Sequence, residues 1–289
     1  LLESVVMSAG AIRRAGSEAQ QSQWLPRLGS GEAIVVPAWL EPDNSYGPKG
    51  VQMRAEPAAD GFVLNGTKVL VRFAKAADSL LVLARTGDGE GDVDLFLVDP
   101  GSAGVTIEQR HTISSDAQFR IDFADVAVSG SDRIGAAGSG WATWSDVMVD
   151  AMALAAAYGA GGAQYALDIT VQYSKDREQF DKPLGAFQAL AHDMADAKTA
   201  TDGAKLITYE AAWAIDNGKD EAEKLAAMAK LFVCNTYRDS TAMAQQIFGG
   251  VGFTLEYEIQ LYFRRAKALQ LSYNDTRRCE EIIAAAVLD

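Results

Sequence analysis

Apolar residues change their period twice along this chain. They fall at helical spacing up to residue 28, in short alternating runs from 33 to 130, and at helical spacing again from about 142 to the end. The first stretch predicts two helices within residues 1–28, with Ser17 as N-cap of the second and Pro26 as its stop. The middle stretch predicts short strands at 33–40, 62–71, 80–84, 93–98, 105–109 and 119–128. Asn65-Gly66 sits between alternating halves of 62–71, which predicts a hairpin turn there. Gly87-Asp88-Gly89-Glu90-Gly91-Asp92 predicts an exposed hairpin tip and lacks the spacing of a calcium loop. A Gly-rich connector over 131–145 leads to helices at about 142–175, 187–217, 220–248 and 257–288, the last broken near Asn274. Short loops between such helices make a bundle. The fold class is therefore α+β and multi-domain: a remnant of an N-terminal helical domain at 1–32, a middle β-barrel domain at 33–130 and a C-terminal four-helix bundle at 131–289.

Composition narrows the function classes. The 289 residues are 48% hydrophobic, enough for more than one core, and the net charge is −13. Such a field disfavours nucleic acid and anionic membrane as partners. No apolar run is long enough to span a bilayer. Cys234 and Cys279 both fall in helical patterns, so a disulfide framework is not expected and a cytoplasmic location is. His111 and His192 show no ligand spacing and are expected to be structural, and no metal site is expected. The chain opens at Leu1-Leu2-Glu3-Ser4 in mid-pattern without Met, and reads as a fragment.

The richest stretch is Gln245-Gln246-Ile247-Phe248-Gly249-Gly250-Val251-Gly252-Phe253, which closes a long Ala-rich helix. A helix ending in Gly-Gly-x-Gly exposes backbone and lets a ligand approach, and the Gln246 amide both donates and accepts. With Glu256-Tyr257, Arg264-Arg265-Ala266-Lys267 and Ser272-Tyr273-Asn274-Asp275-Thr276, it resembles the C-terminal end of the acyl-CoA dehydrogenase family. Gln21-Ser22-Gln23-Trp24-Leu25-Pro26 and Gly29-Ser30-Gly31-Glu32 resemble that family's entry to its middle domain. Arg177-Glu178-Gln179-Phe180-Asp181 followed by Gln188 resembles its Arg-x-x-Phe-Gly turn. The resemblance implies FAD as cofactor. It implies that Arg177, Phe180, Gln188, Gln246, Ile247, Gly249 and Gly250 hold the ADP half of an FAD whose ring lies in the neighbouring subunit.

Other signatures of the family are altered. Thr-Glu-Pro-x-x-Gly-Ser-Asp is Leu40-Glu41-Pro42-Asp43-Asn44-Ser45-Tyr46-Gly47 here. Trp-Ile-Thr-Asn, which places an aromatic face and a hydroxyl beside the flavin, is Leu70-Val71-Arg72-Phe73. The Glu that takes the substrate α-proton stands in Tyr-Glu-Gly-Thr, here Tyr273-Asn274-Asp275-Thr276. Some members place it on the first bundle helix, here Ala151, with Met152 where an Arg follows. Asp275 and Asp150 are each one residue off, a rotation of roughly 100° on a helix. No catalytic residue is therefore assigned to this chain. The resemblance implies the non-catalytic subunit of a heteromeric α2β2 dehydrogenase of the kind that degrades steroid side chains. A homologous catalytic subunit would bind most of the acyl-CoA, and electron-transfer flavoprotein would accept the electrons. The alternatives are a self-sufficient homotetramer using Asp150 or Asp275, a flavin-free interaction paralogue, and a relative with oxidase or nitroalkane chemistry.

Overall fold

A computed structural model describes residues 2–43 and 45–288. Asn44, within the altered Glu-Pro stretch, and Leu1 lie outside the described residues. The chain divides into two compact units, one ending at Met148 and the other beginning at Val149.

The first unit opens with a π-helical segment, Leu2–Ser8, followed by α1 (Ala9–Ala15) and α2 (Glu18–Ser30). Ser17 caps α2 as expected, in a reciprocal box with Gln20. Pro26 does not stop it. The helix runs on to Ser30 and ends at Gly31, whose left-handed backbone (φ 80°) is the actual terminator. Late in a helix the Pro ring removes one hydrogen bond but leaves the last turn intact.

Eight strands follow: β1 (Val35–Ala38), β2 (Arg54–Ala58), β3 (Gly61–Arg72), β4 (Ser79–Arg85), β5 (Val93–Val98), β6 (Val105–Arg110), β7 (Gln118–Ser129) and β8 (Arg133–Ile134). The expected barrel is a mixed sheet in the order β6-β7-β3-β2-β4-β5-β8, with β1 parallel to β4. Its core gathers Leu64, Leu80, Val82, Phe96, Phe119, Ile121 and Val126, all buried. The hairpin predicted at Asn65-Gly66 is not there. β3 runs straight through, and β2 turns into it at Ala58–Gly61 instead. Asn65-Gly66 marks a register shift against β7. The Asn65 amide donates to Asp125 Oδ1 at 3.1 Å and accepts from Asp125 N at 2.8 Å, closing the irregularity sideways. At Gly66 a Cβ would come within 2.7 Å of Met53 Cγ, so the glycine serves a close approach instead of a turn.

The second unit is helical. α3 (Gly140–Asp176) enters it, and α4 (Gln188–Asp216), α5 (Ala222–Phe248), α6 (Ile259–Gln270) and α7 (Thr276–Leu288) follow, close to the predicted bounds and with the predicted break before Thr276. Between α3 and α4 lies a two-stranded hairpin, β9 (Glu178–Gln179) and β10 (Lys182–Pro183). Ala156, Ala160, Ala204, Ala211, Ala214 and Ala229 form one core cluster; small side chains let helix backbones approach closely. Met152 and Met194 are buried in the core. His111 and His192 are both exposed, so neither has the structural role expected of it. No helix among the described residues is long and apolar enough to cross a membrane, and no group of three His, Cys, Asp or Glu is placed to hold a metal.

Candidate functional site

Three chain segments meet where α3 ends. Tyr173, in the last turn of α3, stacks on Phe248 at the end of α5 with ring centroids 4.2 Å apart. Tyr257 meets both rings edge-on. Buried Ile247 packs with Leu167, Met194 and, at the start of α4, Leu190. The apolar contacts thus bring the stretch carrying Arg177, the start of α4 carrying Gln188 and the turn carrying Gln246, Gly249 and Gly250 to one end of the bundle.

The polar groups there are open. Arg177 is fixed through its backbone: its N–H donates to Tyr173 O at 2.9 Å and its carbonyl accepts from Leu184 N at 2.8 Å. Its side chain is exposed and has no ion pair among the described residues, so the helix-end salt bridge that would explain an arginine here is absent. Gln188 and Gln246 are likewise exposed, without side-chain hydrogen bonds among the described residues. α4 begins at Gln188 with no side-chain cap from Phe187. Gly249 has φ 64°, and nothing lies within 4 Å of where a Cβ would stand at Gly249 or Gly250. A free guanidinium, an uncapped helix start, two amides and an open glycine turn suit a phosphate-bearing planar ligand.

Phe180 is 85% exposed at the tip of the β9–β10 hairpin. Its backbone and that of Asp181 are both left-handed, at φ 55° and 61°. A two-residue hairpin turn demands this at both positions and favours glycine. Asp181→Gly is therefore expected to stabilise the chain by about 0.5–1 kcal/mol, the relieved strain less glycine's extra entropy. A shift of the urea midpoint checks it, and a lower midpoint would contradict it.

The family's two base positions meet in the same unit. Asn274 is 5% exposed, with left-handed φ 67°, and its Nδ2 lies 3.4 Å from Met152 Sδ. Ala151 and Met152 are both buried on α3. Asp275 is engaged as the cap of α7, its Oδ1 accepting from Arg278 N at 2.9 Å. The corner is held from beneath by buried Lys230, whose Nζ donates to Leu269 O at 3.0 Å and Asn274 O at 3.3 Å. A neutral amide against a thioether takes no proton from a substrate.

The sheet unit departs further from the expected flavin-facing pattern. Glu41 is consumed internally: Lys68 Nζ donates to its Oε1 at 2.7 Å, and Gln52 N and Met53 N donate to the same carboxylate. Arg72 is ion-paired to Glu3 at 3.4 Å and to Asp116 at 3.2 Å. Burial pushes the Asp116 carboxyl up, but hydrogen bonds from Gln118, Ser114 and Thr112 and the Arg72 charge outweigh it and hold it below the usual range. The roles of Lys68, Asp116 and Lys230 escaped the sequence reading. The only signal was a lone charge inside an apolar run, as at Lys68 before Val69-Leu70-Val71.

Comparison with known proteins gives the family of this chain. Residues 138–287 match the model of the acyl-CoA dehydrogenase C-terminal domain, and residues 38–126 match the model of its middle domain. Among curated proteins, the chain is 32% identical over 250 residues to an L-prolyl-[peptidyl-carrier protein] dehydrogenase of Serratia sp. (strain ATCC 39006). That match takes in 85% of this chain and spans 64% of the relative's length. It is 29% identical to the caffeyl-CoA reductase–Etf complex subunit CarC of Acetobacterium woodii, over 98% of this chain and 75% of CarC. The solved structure of butyryl-CoA dehydrogenase from Megasphaera elsdenii superposes with a TM-score of 0.94 at 29% identity, covering 100% of this chain and 76% of that one. The chain belongs to the acyl-CoA dehydrogenase family.

Proposed function

We propose that this chain is the non-catalytic subunit of a heteromeric, FAD-dependent acyl-CoA dehydrogenase, lending ADP-side contacts to the FAD of a homologous catalytic partner. FAD supplies the hydride acceptor for α,β-desaturation when bound. The ADP half fits what the bundle presents: Arg177 without an ion pair and Gln188 and Gln246 without bonded amides among the described residues, and an open turn at Gly249 and Gly250. In this reading Arg177 holds the pyrophosphate, the two amides fix the sugar or base, and Phe180 and Ile247 border them. The flavin ring does not fit the sheet residues, where Arg72 is held between two carboxylates and Glu41 is spent on Lys68.

The single observation that carries the non-catalytic part is that the two base positions hold Asn274 and Ala151, both buried and neither a carboxylate. The base, most of the acyl-CoA site and the flavin ring then belong to the partner in an α2β2 assembly. The exposed stripe Leu206, Tyr209 and Trp213 on α4 supports assembly through the bundle. A steroid side chain is the proposed acyl group, by analogy with heteromeric relatives alone. Electron-transfer flavoprotein is the proposed acceptor, in keeping with CarC's place in an Etf complex.

The test is substitution of the two near-miss carboxylates. Asp150→Asn and Asp275→Asn are each expected to change turnover of the co-purified complex by less than about twofold. Removal of a true general base costs on the order of 10²–10⁴ in rate. Asparagine also preserves the α7 cap that Asp275 makes, so folding should not confound the result. Loss of turnover in either variant, with flavin content and assembly normal, would favour the self-sufficient homotetramer.

A further inference from the structure

We propose that Arg72, held between Glu3 and Asp116, is the residue that bars a flavin ring from this chain's own sheet unit, and that neutralising this cluster opens a ring site there. The inference rests on the reading above, in which residues 70–73 form the stretch that would face a ring.

The cluster is built from three separate parts of the chain. Arg72 Nε lies 3.2 Å from Asp116 Oδ2, and Nη1 lies 3.4 Å from Glu3 Oε1 in the N-terminal helical segment. The side chains of Arg72, Glu3 and Asp116 are only 19%, 11% and 21% exposed. Asp116 is itself immobilised: it accepts from Thr112 Oγ1 at 2.8 Å, from Gln118 Nε2 at 2.8 Å and from the Ser114 hydroxyl. The loop bearing it is tied to the end of β3 by Phe73 N donating to Ala117 O at 3.0 Å. Arg72 therefore cannot swing aside without breaking pairs on both sides in a poorly hydrated place, where an abandoned charge is costly.

The backbone around it is distorted to the same end. Leu70 and Phe73 both take left-handed φ, at 56° and 59°, beside a register shift between Lys68 and Val71. Both side chains are nearly half exposed, at 47% and 46%. Strained non-glycine residues on both sides of one half-buried, doubly ion-paired cation signal a site under specific constraint. A neutral ring entering here would have to displace the guanidinium and strand two carboxylates.

Riboflavin is the discriminating probe, because it carries the ring and lacks both the phosphates and the AMP half of FAD. Titrated into the wild-type full chain, it should show no saturable fluorescence quenching. The variant Glu3→Gln, Arg72→Thr, Asp116→Asn, which leaves no uncompensated charge, should quench saturably with at least tenfold tighter binding. Arg72→Gln, which retains an amide donor, serves if the triple variant does not melt cooperatively, and should shift in the same direction. A folded variant with no gain in riboflavin binding overturns the proposal, as does a wild-type chain that binds riboflavin as tightly as the variant. Riboflavin has no phosphate for Arg177 to hold. Failure here therefore leaves the ADP-side reading standing, and failure of FAD retention to depend on Arg177 leaves this result interpretable.

Discussion

Lys68→Met is expected to destabilise the sheet unit by about 3–5 kcal/mol, the usual cost of removing one partner from a buried ion pair. Lys68 is fully buried in β3, and its ammonium is 2.7 Å from Glu41 Oε1. Glu41 also accepts from Gln52 N and Met53 N, so it anchors the start of β2. Without Lys68 a buried carboxylate would retain only those backbone donors. The double variant Lys68→Met, Glu41→Gln should recover a large part of the loss, because the amide oxygen still accepts from the backbone while the charge is gone. Urea unfolding followed by the fluorescence of Trp39 and Trp144, which sit 5.4 Å apart in the same unit, measures both variants. A single variant as stable as wild type would show that the pair is not anchoring the strand.

The same lysine sets a pH dependence. Burial pushes Lys68 down to about 8, against the upward pull of the Glu41 charge and hydrogen bond. Between that value and its ordinary 10.5, the unfolded chain holds a proton that the folded chain has released. Stability from this group therefore rises with pH across that window and is flat below it. Cys279, pushed up by burial to about 11, acts in the opposite sense once pH exceeds its ordinary 9.0. The clean interval is thus pH 8 to 9, where wild-type stability should rise and the Lys68→Met variant should show no such rise. Equal slopes in the two proteins would exclude Lys68 as the source.

Arg177→Ala is expected to weaken FAD retention by the assembled complex by about one to two decades without altering the melting temperature. A charge-assisted hydrogen bond is worth about 1.5–3 kcal/mol, and each 1.4 kcal/mol is about tenfold in affinity. Folding should be indifferent, since the side chain is exposed and makes no ion pair among the described residues. Flavin absorbance per chain after gel filtration of the co-purified complex is the readout. Unchanged occupancy would return Arg177 to a solvated helix end.

The sequence by itself determined the order of the parts. Period 3.6 over long Ala-rich stretches has few other solutions, so all the bundle helices and the break at Asn274 were legible. The proposed nucleotide end rests on the family resemblance, whose motifs from Gln246 to Gly250 and around Arg177 each lie within a few residues. Where a local signal had a competing tertiary use, it misled. Asn65-Gly66 has the composition of a turn, yet Asn65 is spent on Asp125 across the sheet and Gly66 on room for Met53. Pro26 has the look of a stop, yet the helix ends at Gly31.

Only the tertiary structure decided what the altered signatures are used for. Arg72 could be read as a misplaced cation, but its partners Glu3 and Asp116 stand 69 and 44 positions away, and no periodicity links them. Asn274 could be read as a missing base, but its contact with Met152 joins the turn between α6 and α7 to α3, far apart in sequence. The physical reason is common to both. Secondary structure is set by neighbours along the chain, whereas a buried charge or amide is set by whichever distant group satisfies it, and that pairing exists only once the chain has packed.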